Sequence, residues 1–262
     1  MNDQPIGIFD SGVGGTSIWK ELHKLLPYEG TMYLADSKNA PYGERSKKEI
    51  IALSIKNTEF LLNHGCKLIV VACNTATTNA IDYLRKNYSV PFIGIEPAIK
   101  PAALQSLSKT VGVLATKGTL SSSLFNSTSE HHALGIKIME QVGTGLVPLI
   151  EQGRVNDEET SLLLKKYMAP MLEAGIDYLV LGCTHYPYLI PVLKELLPSH
   201  IKIIDSGEAV AKQTKVVLEQ NDLLTMATMA SKHEFYTNTK AEVLKSFLPN
   251  DEALINIRHL DF

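Results

Sequence analysis

Leu68-Ile69-Val70-Val71-Ala72-Cys73-Asn74-Thr75 and Tyr178-Leu179-Val180-Leu181-Gly182-Cys183-Thr184-His185 decide how this chain is read. Each is a run of β-branched and other apolar residues, followed by a small residue, a cysteine and two hydrogen-bonding side chains. Such a run fits a strand buried on both faces, as in a parallel sheet covered by helices. The residue after such a strand stands at its carboxyl end, where open α/β sheets bind their ligands. The copies lie 110 positions apart (183 − 73). They place one thiol at each of two strand ends.

Outward from these runs the chain alternates strand and helix. Strand-like segments recur at Ile6–Phe9, Met32–Ala35, Leu68–Ala72, Phe92–Ile95, Val111–Ala115, Ile136–Met139, Tyr178–Gly182, Ile201–Ile204 and His233–Tyr236. Helical stretches lie between most of them. One opens at Ser46 with Glu49 three residues on, a capping box, and ends at Gly65. A second follows Pro187, a third covers Glu208 to about Gln220, and Ser121-Ser122-Ser123 reads as a helix start. The order βαβα predicts parallel sheets. The repeat extends beyond the cysteines: Ile93 falls over Ile203, and Ile6–Ser11 resembles Val111–Thr116 at an offset of 105 (111 − 6). This is too long for a solenoid unit. It predicts an α/β fold of two similar parallel-sheet domains related by a pseudo-two-fold axis, with a site in the cleft between them. Boundaries fall near Pro97 and Ser206, so residues 98–206 form the second domain. Residues 1–97 are expected to be rejoined by 207–262 in a discontinuous first domain.

Composition narrows the function classes. Of the 262 residues, 45% are apolar and 20% charged, and the net charge is −3. That is a chain able to bury a core. Without a basic stripe, nucleic acid is a poor partner. No apolar run reaches the ~18 residues of a membrane helix. Met1-Asn2-Asp3-Gln4-Pro5 has neither a basic nor an apolar leader segment. Three cysteines, an odd number, are expected to be reduced thiols in a cytoplasm.

Cys73 and Cys183, each at a strand end before a helix, are candidates for thiols whose ionised form is favoured by a helix N-terminus. Cys66, after the helix-ending Gly65 and without polar neighbours, reads as a structural cysteine. Asp10 and Ser11 end the first strand, and Gly12-Val13-Gly14-Gly15 follows. Such a turn lets backbone approach an anionic ligand. With Asp36 it also suggests a dinucleotide site, but Ser17 replaces the last glycine of that fingerprint and Asp10 would repel a pyrophosphate. Pro41-Tyr42-Gly43 is a turn whose amides could face a carboxylate. Glu151, by its surroundings in sequence, reads as a solvated surface charge. His185 is a cap, a core histidine or a partner that poises Cys183. There is no zinc motif and no phosphate-binding lysine loop.

Taken together, Asp10–Gly15, Pro41–Gly43, Ala72-Cys73-Asn74-Thr75-Ala76 and Leu181-Gly182-Cys183-Thr184-His185-Tyr186-Pro187 resemble the glutamate racemases of the cofactor-independent aspartate/glutamate racemase superfamily. The likeness runs from about Pro5 to Gly207 and includes Ala115–Thr119 and Glu151. It implies interconversion of L- and D-glutamate, supplying D-glutamate for peptidoglycan, without metal or other cofactor. It implies a small-molecule substrate, no nucleic acid or membrane partner, and a homodimer as one possible assembly. With the first strand expected almost at the start of the sequence, the N-terminal extension with which some members bind an activating cell-wall precursor is expected to be lacking. Cys73 and Cys183 would exchange protons with the α-carbon from opposite faces, Asp10 assisting the first and His185 the second, with Glu151 among the catalytic groups. Asn74, Thr75 and Thr184 would hold the α-carboxylate, Tyr42 and Gly43 the side-chain carboxylate, and Asp10 and Ser11 the ammonium region. The nearest alternative is a sibling racemase acting on aspartate or another small amino-acid derivative. Further off are a thiol–disulfide enzyme, which lacks its Cys-x-x-Cys here, and a non-catalytic amino-acid-binding module, which needs no pair of thiols.

Overall fold

The computed structural model describes residues 3–132, 135–251 and 253–262. Met1 and Asn2, part of the leader reading above, and Glu252, in the segment expected to rejoin the first domain, lie outside the described residues. Ten strands are seen among the described residues, β1 (Ile6–Asp10), β2 (Thr31–Ala35), β3 (Leu68–Val71), β4 (Phe92–Gly94), β5 (Thr110–Ala115), β6 (Lys137–Val142), β7 (Tyr178–Gly182), β8 (Lys202–Ile204), β9 (His233–Thr237) and β10 (Ile255–His259). They form two wholly parallel sheets, ordered β10-β9-β2-β1-β3-β4 and β6-β5-β7-β8. β1, β2, β3 and β7 are buried at every position. This is why their sequences are apolar without alternation.

The second sheet repeats four consecutive strands of the first, β2-β1-β3-β4, with β5 matching β1, β6 matching β2, β7 matching β3 and β8 matching β4. The register agrees: Ile6 pairs with Leu68, and its equivalent Val111 pairs with Tyr178. At the next strand it slips by one. Val70 pairs with Ile93, and Val180 pairs with Ile204. Ile93 is therefore equivalent to Ile204, not to Ile203 as the gapless alignment has it; one extra residue sits in the second crossover. In both sheets the chain leaves the β1-type strand first to one side and then to the other. The resulting crevice lies between β1 and β3, and again between β5 and β7.

Local chemistry fixes the ends that aim these strands. Helix Lys47–Asn63 begins with the full capping box, Glu49 N–H on Ser46 Oγ and Ser46 N–H on the Glu49 carboxylate. It closes at Gly65, φ +77°, where Cys66 N–H reaches Leu61 O and Gly65 N–H reaches Leu62 O. The second copy does the same at Gly175, φ +73°, with Ile176 N–H on Met171 O and Gly175 N–H on Leu172 O. These glycines, 110 apart, each turn the chain into the strand that ends at a cysteine. Cys66 packs beneath β1 where Gly7 has no side chain, and burial pushes its thiol up to about 12. That suits a structural role.

The chain passes between the sheets twice, near residues 95–98 and 205–207. The passages lie side by side, with Ser206 Oγ donating to Glu96 O at 2.5 Å. Helix Gly207–Gln220 then packs on helix Thr16–Leu25. β9 and β10 extend the first sheet from the β2 side. Two elements depart from the sequence reading. β6 runs on to Val142, and β10 was not anticipated; both are edge strands carrying polar and half-buried residues.

Candidate functional site

Both crevices open toward each other. Ser11, Pro41, Tyr42, Gly43, Cys73, Asn74, Thr75 and, from the second half, Thr116, Val147, Cys183, Thr184 and His185 line one cavity. Its free volume is ≈ 10 Å³, about one water. Ten residues singled out in the sequence thus meet at one place. Asp10 and Glu151 do not line the cavity; they stand behind it. Thr116 and Val147 join it without having been given roles.

Cys73 caps helix Asn74–Asn87. Ala76 N–H points at its Sγ (3.4 Å), and its thiol donates to Ser11 Oγ (3.6 Å). The expected preference for thiolate does not follow. Burial and the nearby Asp10 carboxylate raise this thiol well above its ordinary range, against the smaller pull of the Ala76 amide and Ser11. Cys183 departs from the expectation in another way. It is followed not by a helix but by a turn, with Tyr186 N–H on Cys183 O, then a single 3₁₀ turn Tyr186–Leu189 and a helix only from Ile190. Pro187 therefore opens the 3₁₀ turn rather than an α-helix. In place of a helix N-terminus Cys183 has an imidazole, His185 Nδ1 at 3.7 Å.

Behind that imidazole is Glu151. Its Oε1 lies 2.5 Å from His185 Nε2 and accepts the Val13 N–H at 2.7 Å. Its side chain is only 13% exposed, which corrects the reading of a solvated surface charge. The last turn of helix Leu146–Glu151 swings it under the glycine-rich turn. Burial works against charge on His185, but Cys183 and Glu151 outweigh it and hold the imidazole's pKa well above its ordinary value. The result is a carboxylate–imidazole–thiol line.

The glycine-rich turn was expected to face an anionic ligand. It binds the chain's own carboxylate instead: Asp10 Oδ2 accepts from Gly12 N–H (3.2 Å) and Gly15 N–H (2.9 Å), while Oδ1 accepts from Thr184 Oγ1 (3.1 Å) across the interface. Burial lifts Asp10 to about 6, offset in part by the His185 cation and the Gly15 amide. The glycines are needed for room. A Cβ at Gly12 would overlap the Glu151 carboxylate, one at Gly14 the His185 ring, and one at Gly15 would come within 2.7 Å of Asp10 Cβ and Tyr33 Oη. Asp36, the acid that suggested a ribose, is buried and accepts from Asn39 (2.8 Å), Tyr42 Oη (2.5 Å) and Asn238 (2.5 Å). It anchors the Pro41–Gly43 turn. Gly43 abuts Thr116, and Thr75 Oγ1 shares hydrogen bonds with Thr116 (2.8 Å) and Thr119 (3.3 Å). Asn74 Oδ1 is buried with no hydrogen-bond partner among the described residues. Among the described residues no cluster of three His, Cys, Asp or Glu could hold a metal ion, and no helix is long and apolar enough to cross a membrane.

Two parallel α/β sheets that close on a shared polar cavity define a class, the two-domain α/β proteins that act in an interdomain crevice. The comparisons with known proteins narrow it. Residues 13–214 match the model of the Asp/Glu/Hydantoin racemase family. A glutamate racemase of Herpetosiphon aurantiacus is 47% identical over 238 residues, 91% of this chain and 94% of that protein. A glutamate racemase of Bacillus anthracis superposes with a TM-score of 0.88 at 29% identity, over 100% of this chain and 98% of the other. The Francisella tularensis glutamate racemase, solved in complex with D-glutamate, gives a TM-score of 0.84 at 29% identity, over 98% of both chains. This chain belongs to the Asp/Glu/hydantoin racemase family. It is an amino-acid racemase, an isomerase.

Proposed function

We propose that the chain interconverts L- and D-glutamate through Cys73 and Cys183, and so supplies D-glutamate for peptidoglycan in the cytoplasm. The observation that carries this reading is the single cavity lined by both thiols, one from each half. Relatives matched over almost their whole length that bear the name glutamate racemase support the choice of substrate. One sulfur takes the α-proton, the electron pair left on the α-carbon is delocalised into the α-carboxylate, and the opposite thiol returns a proton to the other face. Burial and Asp10 favour the protonated form of Cys73, which casts it as the proton donor of the pair. After turnover the roles are exchanged. Asn74, Thr75 and Thr184 bind the amino-acid end, Tyr42 and Gly43 the distal carboxylate, and Ser11 the ammonium region with Asp10 behind it. His185 and Glu151 manage the proton of Cys183.

An α-carbon acid is far weaker than a thiol, so catalysis depends on groups already oriented in a site closed to water. The cavity is too small for a dicarboxylic amino acid, and the two halves must part to admit one. We place the domain boundaries at residues 97/98 and 206/207, where the two passages run side by side. A cleft of ≈ 260 Å³ shares Pro41, Gly43, Thr116 and Val147 with the cavity and is bordered by Glu44 and Lys117. It is the proposed route of access. A homodimer is the assembly to test by sedimentation. For the activity, polarimetry of the purified protein with L-glutamate and with L-aspartate is decisive. Rotation decaying to zero with glutamate and persisting with aspartate supports the reading. Persistent rotation with glutamate, or equal decay of both, refutes it.

A further inference from the structure

We propose that Tyr188 is a positioning residue for the reaction, holding the Glu151–His185 pair against Cys183 through a hydrogen-bond circuit that crosses the domain interface. The inference rests on the reading of Cys183 as a proton-transfer group. It starts from Thr16, whose Oγ1 lies 2.6 Å from Val13 O and 2.5 Å from Tyr188 Oη. Thr16 has one hydroxyl proton, and the carbonyl can only accept. The proton therefore goes to Val13 O, and Tyr188 is the donor to Thr16. Val13 in turn gives its N–H to Glu151 Oε1, the oxygen that meets His185 Nε2. Tyr188 returns to the start through its own N–H, which donates to His185 O at 3.2 Å. The circuit runs Tyr188, Thr16, Val13, Glu151, His185 and back to Tyr188.

Each half contributes a rigid part. On the first, Tyr33 Oη donates to Gly12 O (2.8 Å), the carbonyl of the same peptide whose N–H faces Glu151. That peptide is pinned from both ends, and a chain of aligned donors strengthens each bond in it. The second presents the Tyr188 ring, which seats on two residues of the first: Phe247 meets it edge to face (4.6 Å) and the Lys20 ammonium lies over it at 4.9 Å. The ring is therefore held without its hydroxyl, and removing the oxygen should leave the packing intact. The circuit touches only the Cys183 side. Cys73 has Ser11 and Ala76 as its partners.

Tyr188→Phe tests this, with kcat, KM and pH profiles measured in both directions. The ionisable groups bearing on His185 are Glu151, Cys183 and Asp10. A loosened Glu151 supports the imidazolium less, so the limb governed by His185 should move to lower pH. We expect kcat to fall roughly three- to tenfold, the range of one lost hydrogen bond, with KM within about twofold and an unchanged melting temperature. Thr16→Val should reproduce the effect, Thr16→Ser should restore wild-type behaviour, and Thr16→Val with Tyr188→Phe should add nothing further. A wild-type pH profile in Tyr188→Phe, or a kcat loss matched by a melting-temperature loss without a pH shift, overturns the assignment. Cys183→Ala separates the two readings. If it still turns over, the two-thiol reading itself fails; if it is dead while Tyr188→Phe is wild type, only the positioning role fails.

Discussion

The two crevices have the same backbone and different proton chemistry. Strand order and β1/β3-type register repeat, and each half brings a cysteine to the same strand end. Yet Asp10 on β1 is Ala115 on β5, Asn74 is Thr184, and Thr75 is His185. The first thiol is left with hydroxyl and amide neighbours beside a buried carboxylate. The second gains an imidazole braced by Glu151. A racemase needs symmetry at the substrate, because the two enantiomers differ only by exchange of groups at one carbon. It needs asymmetry in protonation, because one sulfur must hold a proton while the other does not. The repeat supplies the first requirement, and substitutions at equivalent positions supply the second. The halves are also cross-wired. Asp10 is held by Thr184 of the second half, and Glu151 by Val13 of the first.

The largest expected effect comes from removing either sulfur. Cys73→Ala and Cys183→Ala should each lower racemisation by about three orders of magnitude or more in both directions, with folding retained. Near-normal turnover by either would break the comparison. Next come the helpers. His185→Asn, and with it Glu151→Gln, should lower kcat by roughly ten- to a hundredfold, and more in one direction than the other. Asp10→Asn should show the opposite bias. The equilibrium constant cannot move, so each asymmetry must reappear in KM. The same bias in all three variants would show that the helpers do not serve separate thiols.

Gly14→Ala sharpens the cross-wiring. Its methyl would press on the His185 ring, so kcat should fall about tenfold with the directional bias of His185→Asn and not that of Asp10→Asn. The smallest effect is on stability. Burial raises Asp10 from 3.8 to about 6. Between those values the folded chain keeps a proton that the unfolded chain has released, so rising pH destabilises the fold through this window and the full penalty persists above it. Asp10→Asn should therefore be more stable than wild type at pH 7.5, by about 1–3 kcal/mol, and the gap should close near pH 3.5. Denaturant titrations at both pH values measure this. A gap that grows on acidification would contradict the assignment.

Much of the fold was legible because buried parallel strands announce themselves. Leu68–Val71 is wholly aliphatic, and Tyr178–Gly182 carries no charged or amide side chain to confuse it with anything solvated. Glu49 and Gly65 mark a helix by their chemistry alone. What escaped was at edges and across distance. β10, Ile255-Asn256-Ile257-Arg258-His259, is half-covered on a sheet margin, so its sequence carries little core signal. The offset of 110 from Gly65 points to a companion helix end at Gly175, where φ is +73°. Residues around the cavity could be collected from motifs, but not their partners. Glu151 is 34 residues from His185 and 138 from Val13, and nothing in its neighbourhood in sequence distinguishes it from a surface acid. The glycine-rich turn, expected to face an anionic ligand, closes on Asp10 instead. Glycines admit any close approach, and sequence does not say whether a ligand or a side chain makes it.

The central claim is that the proton leaves from one face to one sulfur and returns from the other. It is tested most directly by following L-glutamate in D₂O through the first few per cent of conversion, with the α-hydrogen content of recovered substrate and of new D-glutamate measured separately. Two opposed thiols predict deuterium in the product and protium retained in the substrate, because the returning proton comes from a sulfur already equilibrated with solvent. Protium carried from substrate into product, or deuterium entering recovered L-glutamate as fast as D-glutamate forms, would mean that a single group serves both faces.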